Sequence, residues 1–268
     1  MSDLDEEFAG TDLDLSIWLP HYLPAWSSRA ASAATWTVSG SCLTLSIPRE
    51  QALWCADDHR PALRVSGVQT GSRSGPVGST LGQQSFRSNQ VVREEQPRFQ
   101  GHLTAGGRVE IRCRMELSAR SMASLWMVGF EEVPEQCGEI CVFEVFGRSV
   151  ADGFADVGTG VKAIRDPGLA QDFAAPSVEV DVAQFHTYAV EWTPGGPATF
   201  SVDDRPVRRA ARTPVYPLQL MLAVFDFPEW TNGADDHLEP KLVVDYVRSS
   251  GSSRRRPRHR RSHAPRSA

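Results

Sequence analysis

Two glutamates, Glu139 and Glu144, lie five residues apart in an otherwise apolar segment. Burying a carboxylate without a partner is unfavourable, so an apolar segment rarely carries two of them without a chemical purpose. Two carboxylates that face one cleft are the groups that hydrolysis of a glycosidic bond requires, because one attacks the sugar and the other transfers protons. The pair is a candidate for that chemistry, and Cys141 lies between its members.

The segment that carries the pair predicts a β-strand with one irregularity. It is rich in β-branched and aromatic residues, which favour strands. Side chains alternate faces along a regular strand, so Glu139 and Cys141 would share a face and Glu144 would point the opposite way. One inserted residue, a β-bulge near Val142-Phe143, would return Glu144 to the face of Glu139. The two carboxyl groups would then approach the ~5–5.5 Å of a retaining glycosidase, whereas an inverting enzyme needs a larger separation.

In this bulged form the segment resembles the active-site signature of glycoside hydrolase family 16, with the spacing Glu-x-Asp-x-x-Glu. The flanking segments resemble further strands of the same family, in the same order. The resemblance implies a concanavalin A-like jelly roll, with Glu139 as nucleophile and Glu144 as acid/base. The matching segments, which together span about residues 40 to 248, are 112–115, 124–127, 185–194, 200–207, 216–222 and 243–248.

The rest of the chain also favours an all-β fold. Segments such as 43–47 and 108–117 alternate apolar and polar residues, and Gly- and Pro-rich turns separate them. Because helical periodicity is scarce, a two-sheet antiparallel β-sandwich or jelly roll is predicted. We expect a flexible acidic N-terminus over residues 1–15, one jelly-roll domain over 16–249 and a disordered Arg-rich tail over 250–268.

Two positions depart from the family pattern. Cys141 stands where the family has its central aspartate. A thiol is a weak donor that could hydrogen-bond Glu139, but it lacks the charge that would favour a protonated acid by repulsion. A small buried thiol is favoured over a nucleophilic one, because no basic partner is evident. Lys162 aligns with a strand where many relatives carry a histidine near the acid/base, and a cation there would favour the ionised form of Glu144.

Tryptophans are candidate sugar platforms, although aromatic residues more often belong to a core. Trp126 resembles the family's cleft tryptophan and is predicted to bind substrate. Trp192 and Trp230 are further candidates, and Lys162 is included because it would lie beside the acid/base. Trp54 has no assigned role.

Charge and cysteine content narrow the class of partner. The chain has 268 residues and a net charge of −5, yet its last 18 residues hold seven arginines and no acid. The body is therefore strongly acidic, which disfavours nucleic acid and favours a neutral polysaccharide or oligosaccharide. Only the tail could make weak nucleic-acid contact. Five scattered cysteines predict no disulfide framework, and no metal-ligand spacing or cofactor motif stands out; a structural calcium stays open.

Targeting features give an expectation about location. The N-terminal segment is acidic and lacks an apolar signal core, and no apolar run approaches membrane-spanning length. These features predict a cytoplasmic protein without membrane contact, with unconventional export left open. We also expect a monomer.

Two functions from different classes fit these residues. The first is a retaining endo-β-glycosidase that cleaves internal bonds of a polysaccharide, with β-1,3- or mixed-linked β-glucan as the expected substrate. The second is a lectin-like module that keeps the groove and has lost efficient catalysis, as the residues at 141 and 162 suggest. A transglycosylase that uses the same glycosyl-enzyme intermediate is a third, because acceptor choice depends on the shape of the loops.

Overall fold

The structure, a computed structural model, describes residues 3–231 and 238–251. In this part the chain forms antiparallel strands joined by turns, together with three 3₁₀ helices of three residues each. No helix in the described ranges has the length and hydrophobicity needed to span a membrane. The helices are η1 (Pro24–Trp26), η2 (Gly147–Ser149) and η3 (Pro228–Trp230).

Twenty strands are assigned within the described ranges. They are β1 (Leu4–Glu6), β2 (Thr35–Ser39), β3 (Cys42–Ser46), β4 (Arg64–Gln69), β5 (Gly71–Ser72), β6 (Phe99–Gln100), β7 (Leu103–Thr104), β8 (Gly107–Glu116), β9 (Ser121–Gly129), β10 (Glu139–Phe146), β11 (Val150–Ala151), β12 (Phe154–Asp156), β13 (Gly158–Lys162), β14 (Asp172–Ala174), β15 (Ser177–Glu179), β16 (His186–Trp192), β17 (Ala198–Val202), β18 (Arg205–Ala210), β19 (Leu218–Asp226) and β20 (Lys241–Ser250).

Two large sheets form the sandwich. The eight-stranded sheet runs β18-β17-β16-β8-β20-β3-β2, with β1 paired to β20. The seven-stranded sheet runs β14-β13-β10-β9-β19-β4, with β7 paired to β19. Sequence neighbours are often not sheet neighbours, as the crossing connections of a jelly roll require. The predicted all-β, two-sheet antiparallel sandwich is confirmed.

Alternation along each strand builds the core between the sheets. In β8 the inward side chains of Val109, Ile111, Cys113 and Met115 are buried, whereas the intervening charged residues are partly exposed. Tyr188, Val190 and Trp192 of β16 face the same core. The period of two that the sequence shows over 108–117 thus has a direct structural cause: one face of this sheet meets the other sheet and the opposite face meets solvent.

The seven-stranded sheet is covered on both faces. All nine residues of β9 and all nine of β19 are buried. One set of alternate residues joins the core between the sheets, and the other set joins a second cluster with Trp26, Trp54 and Val92. The segments between β1 and β8 therefore lie over the outer face of β9 and β19.

The acidic N-terminal segment is packed rather than flexible, which corrects the expectation for its described residues. Leu4 pairs with Ser249, and Arg248 contacts Asp5 at 2.9 Å. Phe8 and Leu13 join the core. Apolar residues spaced among the acids supply the burial that a purely acidic segment would lack. The tail beyond residue 251 lies outside the described residues, and the domain boundaries stay predictions.

Substitution of Phe143 would test the packing of the core between the sheets. Its ring is fully buried and lies 4.8 Å from the ring of Tyr188 in the opposite sheet. We expect Phe143→Ala to lower the free energy of unfolding by about 3–5 kcal/mol in chemical denaturation. Phe154→Ala is the control, because Phe154 is 49% exposed, and it should change stability by about 0.5 kcal/mol or less. Equal effects of the two substitutions would contradict this account of the core.

Candidate active site

β10 bulges between its two glutamates. Cys141 lies opposite Trp126 of β9, and Phe143 lies opposite Leu125, so Val142 is the extra residue. Val142 and Phe143 both face the core between the sheets. Because two consecutive residues point inward, the alternation of side chains shifts by one residue after the bulge, and Glu144 faces the same side as Glu139. The bulge that the sequence predicted at this position is confirmed.

Lys162 joins the two carboxylates on the outer face of the sheet. It lies directly opposite Glu139, on β13. Its Nζ is 3.0 Å from Oε2 of Glu144 and 4.0 Å from Oε2 of Glu139. The two oxygens can be no farther apart than the sum of these distances, a range that includes the ~5–5.5 Å of retaining glycosidases. Lys162 thus lies where the sequence predicted a cation beside Glu144.

The charge of Lys162 is stabilised by its surroundings. Burial opposes the charge, but the carboxylates of Glu139 and Glu144 outweigh it and raise the pKa of the ammonium. The ring of Phe173 lies 4.6 Å from Nζ and adds a cation–π contact. Lys162 is therefore a fixed positive charge between two acids, not a group that loses its proton near neutral pH.

The surroundings of Glu139 shift the pKa of its carboxyl in opposing directions. Burial raises the pKa of its carboxyl, whereas Lys162 and a hydrogen bond from Gln84 lower it, and Glu144 raises it. The net shift is upward. The side-chain Nε2 of Gln84 donates to Oε1 of Glu139 at 2.9 Å. The two polar partners support the ionised form that a nucleophile needs, against the effect of burial.

Gln84 is a site residue that sequence reasoning missed. Besides binding Glu139, its backbone N–H donates to Glu131 at 2.7 Å, and its side-chain oxygen accepts from Trp126 Nε1 at 3.4 Å. Its φ of 47° is rare for a residue other than glycine. Burial raises the pKa of Glu131 to about 7. A glutamine in a loop carries no local signal of contacts this distant along the chain.

Cys141 is a buried thiol, as the sequence favoured. It is fully buried, and burial raises the pKa of its thiol. Its Sγ donates to the carbonyl oxygen of Gly158 at 3.7 Å. The hydrogen bond to Glu139 that the sequence allowed is replaced by this contact, because the carbonyl on β13 faces the short side chain. Cys141 adds no negative charge between the glutamates.

Two tryptophans lie below the surface of the site. Trp192 is 3% exposed and packs in the core between the sheets, because it falls on the inward phase of β16. Its expected contact with substrate is therefore wrong. Trp126 lies on the correct face but is 7% exposed, covered by Tyr22 and bonded to Gln84. Direct sugar stacking on Trp126 is corrected to a supporting role beneath the site.

Trp230 lies at the Glu144 end of β10. Its ring stacks on Phe227 with a centroid distance of 4.0 Å, and it lies 5.9 Å from Phe146, the last residue of the strand. Arg148 lies over the same ring at 4.5 Å. The ring is half-buried, and its predicted role in substrate binding stays a prediction.

A pocket of about 200 Å³ adjoins the other glutamate. Its walls include Tyr22, Trp54, His59, Phe86, Ile164 and Glu139. Trp54, which sequence reasoning left unassigned, packs at 5.4 Å from Phe86 and 5.0 Å from Tyr22. The candidate site thus has an aromatic pocket at its Glu139 end and an aromatic stack at its Glu144 end.

Metal-ligating residues do not cluster within the described ranges: no group of three or more His, Cys, Asp or Glu there could hold an ion. The five cysteines are free thiols. The prediction of no cofactor, with a structural calcium left open, stays a prediction.

The hydrogen bond from Gln84 to Glu139 has a measurable consequence. We expect Gln84→Leu to move the titration of the Glu139 carboxyl to higher pH, because the bond stabilises the ionised form. Carbon NMR of labelled glutamate side chains would measure the midpoint. Ser85→Ala, a change at the adjacent residue, should leave it in place. An unchanged midpoint in Gln84→Leu would show that the bond has no role in setting the charge of Glu139.

No curated protein sequence matches the chain. Among solved structures, the GlcNAcα1-4Gal-releasing endo-β-galactosidase from Clostridium perfringens is 23% identical with a TM-score of 0.78, covering 91% of this chain and 61% of that one. The chain thus spans less than two thirds of that protein.

Two laminarinases are also similar. The enzyme from Flavobacterium sp. UMI-01 is 16% identical with a TM-score of 0.59, covering 91% of this chain and 97% of that one. The catalytic domain from Thermotoga petrophila is 18% identical with a TM-score of 0.60, covering 91% and 95%. These likenesses show the fold. The model of glycosyl hydrolases family 16 matches residues 100–248, more than half of the sequence, and the chain belongs to that family.

Proposed function

We propose that the protein is a retaining endo-β-glycosidase. The observation that carries the proposal is that Glu139 and Glu144 lie on one face of a bulged strand and contact the same ammonium group. Membership of a glycosyl hydrolase family supports glycoside hydrolysis as the reaction. The pair of carboxyls supplies the two groups that the retaining mechanism needs.

Glu139 is the proposed nucleophile. Its carboxylate attacks the anomeric carbon, and the bond from that carbon to the leaving oxygen breaks as Glu144 donates a proton to the oxygen. Glu144 then removes a proton from water, which attacks the same carbon and releases Glu139. The hydrogen bond from Gln84 and the charge of Lys162 support the ionised Glu139 that the first step uses.

Lys162 sets a limit on this reaction. The first step requires a proton on Glu144, and an ammonium at 3.0 Å favours the ionised carboxylate instead. The family's aspartate would oppose this effect, but Cys141 is an uncharged, buried thiol. We therefore propose that the ion pair with Lys162 competes with proton delivery by Glu144, and that turnover is slow.

A β-glucan is the proposed substrate. Two of the similar structures are laminarinases, and one further similar structure is described as a non-specific endo-β-1,3(4)-glucanase. The structure with the TM-score of 0.78 is an endo-β-galactosidase, which makes a β-galactoside the alternative substrate. The acidic body of the chain suits either neutral glycan.

The contact between Lys162 and Glu144 favours a second candidate, a lectin-like glycan-binding module. A site in which Lys162 pairs with the proposed proton donor at 3.0 Å keeps its aromatic walls, but its donor is engaged in that ion pair. Such a module binds glycan and releases no reducing ends. The two candidates differ only in turnover, so one panel of glycans tests both.

Glu139→Gln is the direct test of the nucleophile. We expect it to lower the release of reducing ends from β-glucans, β-galactans or xyloglucan by a factor of at least about 10³. Glu135→Gln, a change at an exposed glutamate of the preceding loop, should keep wild-type turnover. Full activity in Glu139→Gln would reject the assignment. Glycan binding by wild type without release from any polymer would favour the lectin-like module.

The two lysines of the chain form a matched pair for testing the proton donor. We expect Lys162→Met to move the acid limb of the pH profile to higher pH, because Glu139 loses a cation that lowers the pKa of its carboxyl. Turnover above that limb should rise, because Glu144 is released from its ion pair. Lys241→Met removes a lysine that pairs with Glu116 in the other sheet and should leave the profile in place. A fall in activity at every pH in Lys162→Met would contradict the limiting role of Lys162.

A further inference from the structure

Gln84 holds a backbone conformation that glutamine does not favour. Its φ is 47°, in the left-handed region where the Cβ atom crowds the carbonyl oxygen that follows. Conformations of this kind persist only where the surrounding structure imposes them, and they concentrate at functional sites. The contacts that impose this conformation are therefore the ones on which the hydrogen bond from Gln84 to Glu139 depends.

The loop that carries Gln84 is fastened to the segment that follows β9. The buried side chain of Gln83 donates to the carbonyl oxygen of Phe130 at 3.0 Å and accepts from the backbone N–H of Arg73 at 3.1 Å. The guanidinium of Arg73 donates to the carbonyl oxygen of Glu131 at 2.8 Å. One residue further along the loop, the backbone N–H of Gln84 donates to the carboxyl of Glu131 at 2.7 Å. The side chain of Glu131 is thus the acceptor that receives the backbone of Gln84.

Glu131 is a buried acid whose own backbone is also left-handed. Its φ is 55°, and the residue is 8% exposed. The cations that act on its carboxyl are Arg165 and Arg73, and the neighbouring acid is Glu139. A buried carboxyl is less favourable than an apolar side chain of similar size, and such groups concentrate at functional sites. The hydrogen bond to Gln84 connects this buried acid to the proposed nucleophile.

The side-chain amide of Gln84 has one orientation that satisfies both of its contacts. The indole Nε1 of Trp126 can only donate, so it has to meet the amide oxygen, which lies 3.4 Å away. The amide nitrogen then faces Glu139 and donates to its Oε1 at 2.9 Å. If the backbone of Gln84 relaxed to a right-handed or extended conformation, the side chain would leave in another direction and both contacts would be lost. The hydrogen bond to Glu139 therefore depends on the backbone conformation that Glu131 stabilises.

We propose that Glu131 is a positioning residue for the nucleophile, and that it acts through Gln84. Its carboxyl accepts the backbone N–H of Gln84 and stabilises the left-handed conformation from which the side-chain amide reaches Glu139. This role needs an acceptor at residue 131 and no contact between that residue and the glycan. The inference rests on the proposed function, which assigns the nucleophile, and adds to it the residue that holds the nucleophile's hydrogen-bond donor in place.

A double-mutant cycle tests the connection between Glu131 and Gln84. Carbon NMR of labelled glutamate side chains measures how far Gln84→Leu moves the titration of the Glu139 carboxyl to higher pH. In the Glu131→Leu background we expect that shift to be at least about threefold smaller, because the amide of Gln84 no longer reaches Glu139. Glu131→Gln keeps an acceptor for the N–H and should retain the full shift. Glu135→Leu, the same change at an exposed glutamate of this loop, should leave the shift undiminished.

The amide proton of Gln84 in the wild type gives a measurement that needs no substitution. Burial raises the pKa of the Glu131 carboxyl to about 7. The chemical shift of the Gln84 N–H should change with that midpoint, because a carboxylate accepts a stronger hydrogen bond than a carboxylic acid does. A shift that stays constant as Glu131 titrates would overturn the proposal, and so would an undiminished effect of Gln84→Leu in the Glu131→Leu background.

Turnover separates this inference from the proposed function. On the polymer that is cleaved best, Glu131→Leu should lower kcat by about tenfold or more with KM nearly unchanged, and Glu131→Gln should recover most of the loss. Equal losses of kcat in the two variants would reject the role of Glu131 as an acceptor. If the wild type releases no reducing ends from any polymer, the proposed glycosidase activity fails, whereas the NMR cycle still decides whether Glu131 positions Gln84.

Discussion

A regular strand cannot present residues 139 and 144 on one face, because its side chains alternate with a period of two. The extra residue at Val142 removes this obstacle: it directs two successive apolar side chains into the core and lets both carboxyls face outward. The bulge is held from beneath, since Phe143 packs against the opposite sheet. The distance between the carboxyls and their shared contact with Lys162 both depend on this change of phase.

Once the glutamates share a face, their charges have to be accommodated in a largely buried site. Lys162 does this for both, and Gln84 adds a donor to Glu139. The same contacts affect the two proposed roles, nucleophile and proton donor, in opposite ways. Support for the ionised form assists a nucleophile, whereas a proton donor needs the opposite, and the thiol of Cys141 offers no charge to restore the balance. The site is therefore arranged better for bond formation than for proton delivery.

Much of the fold and the centre of the site could be predicted from the sequence because their signals are local. The period of two over 108–117 and the spacing of Glu139 and Glu144 each depend on a few neighbouring residues. Gln84 and the walls of the pocket could not be found in this way, because they reach the glutamates from distant loops. Trp192 was wrongly predicted to contact substrate, because the type of a residue does not reveal which face of a strand its side chain occupies. The N-terminal segment was expected to be flexible because its composition is dominated by acids, and the few apolar residues that pack into the core, such as Phe8 and Leu13, carry little weight in that composition.

The aromatic walls of the pocket and the reacting groups come from different parts of the chain. Tyr22, Trp54, His59 and Phe86 belong to segments that precede β8, whereas both glutamates and Lys162 lie on two adjacent strands within residues 139–162. Selection could therefore alter which glycan is accepted by changes in the first ninety residues, without disturbing the bulge or the charges beside it. In this architecture, chemistry and selectivity can evolve at separate rates.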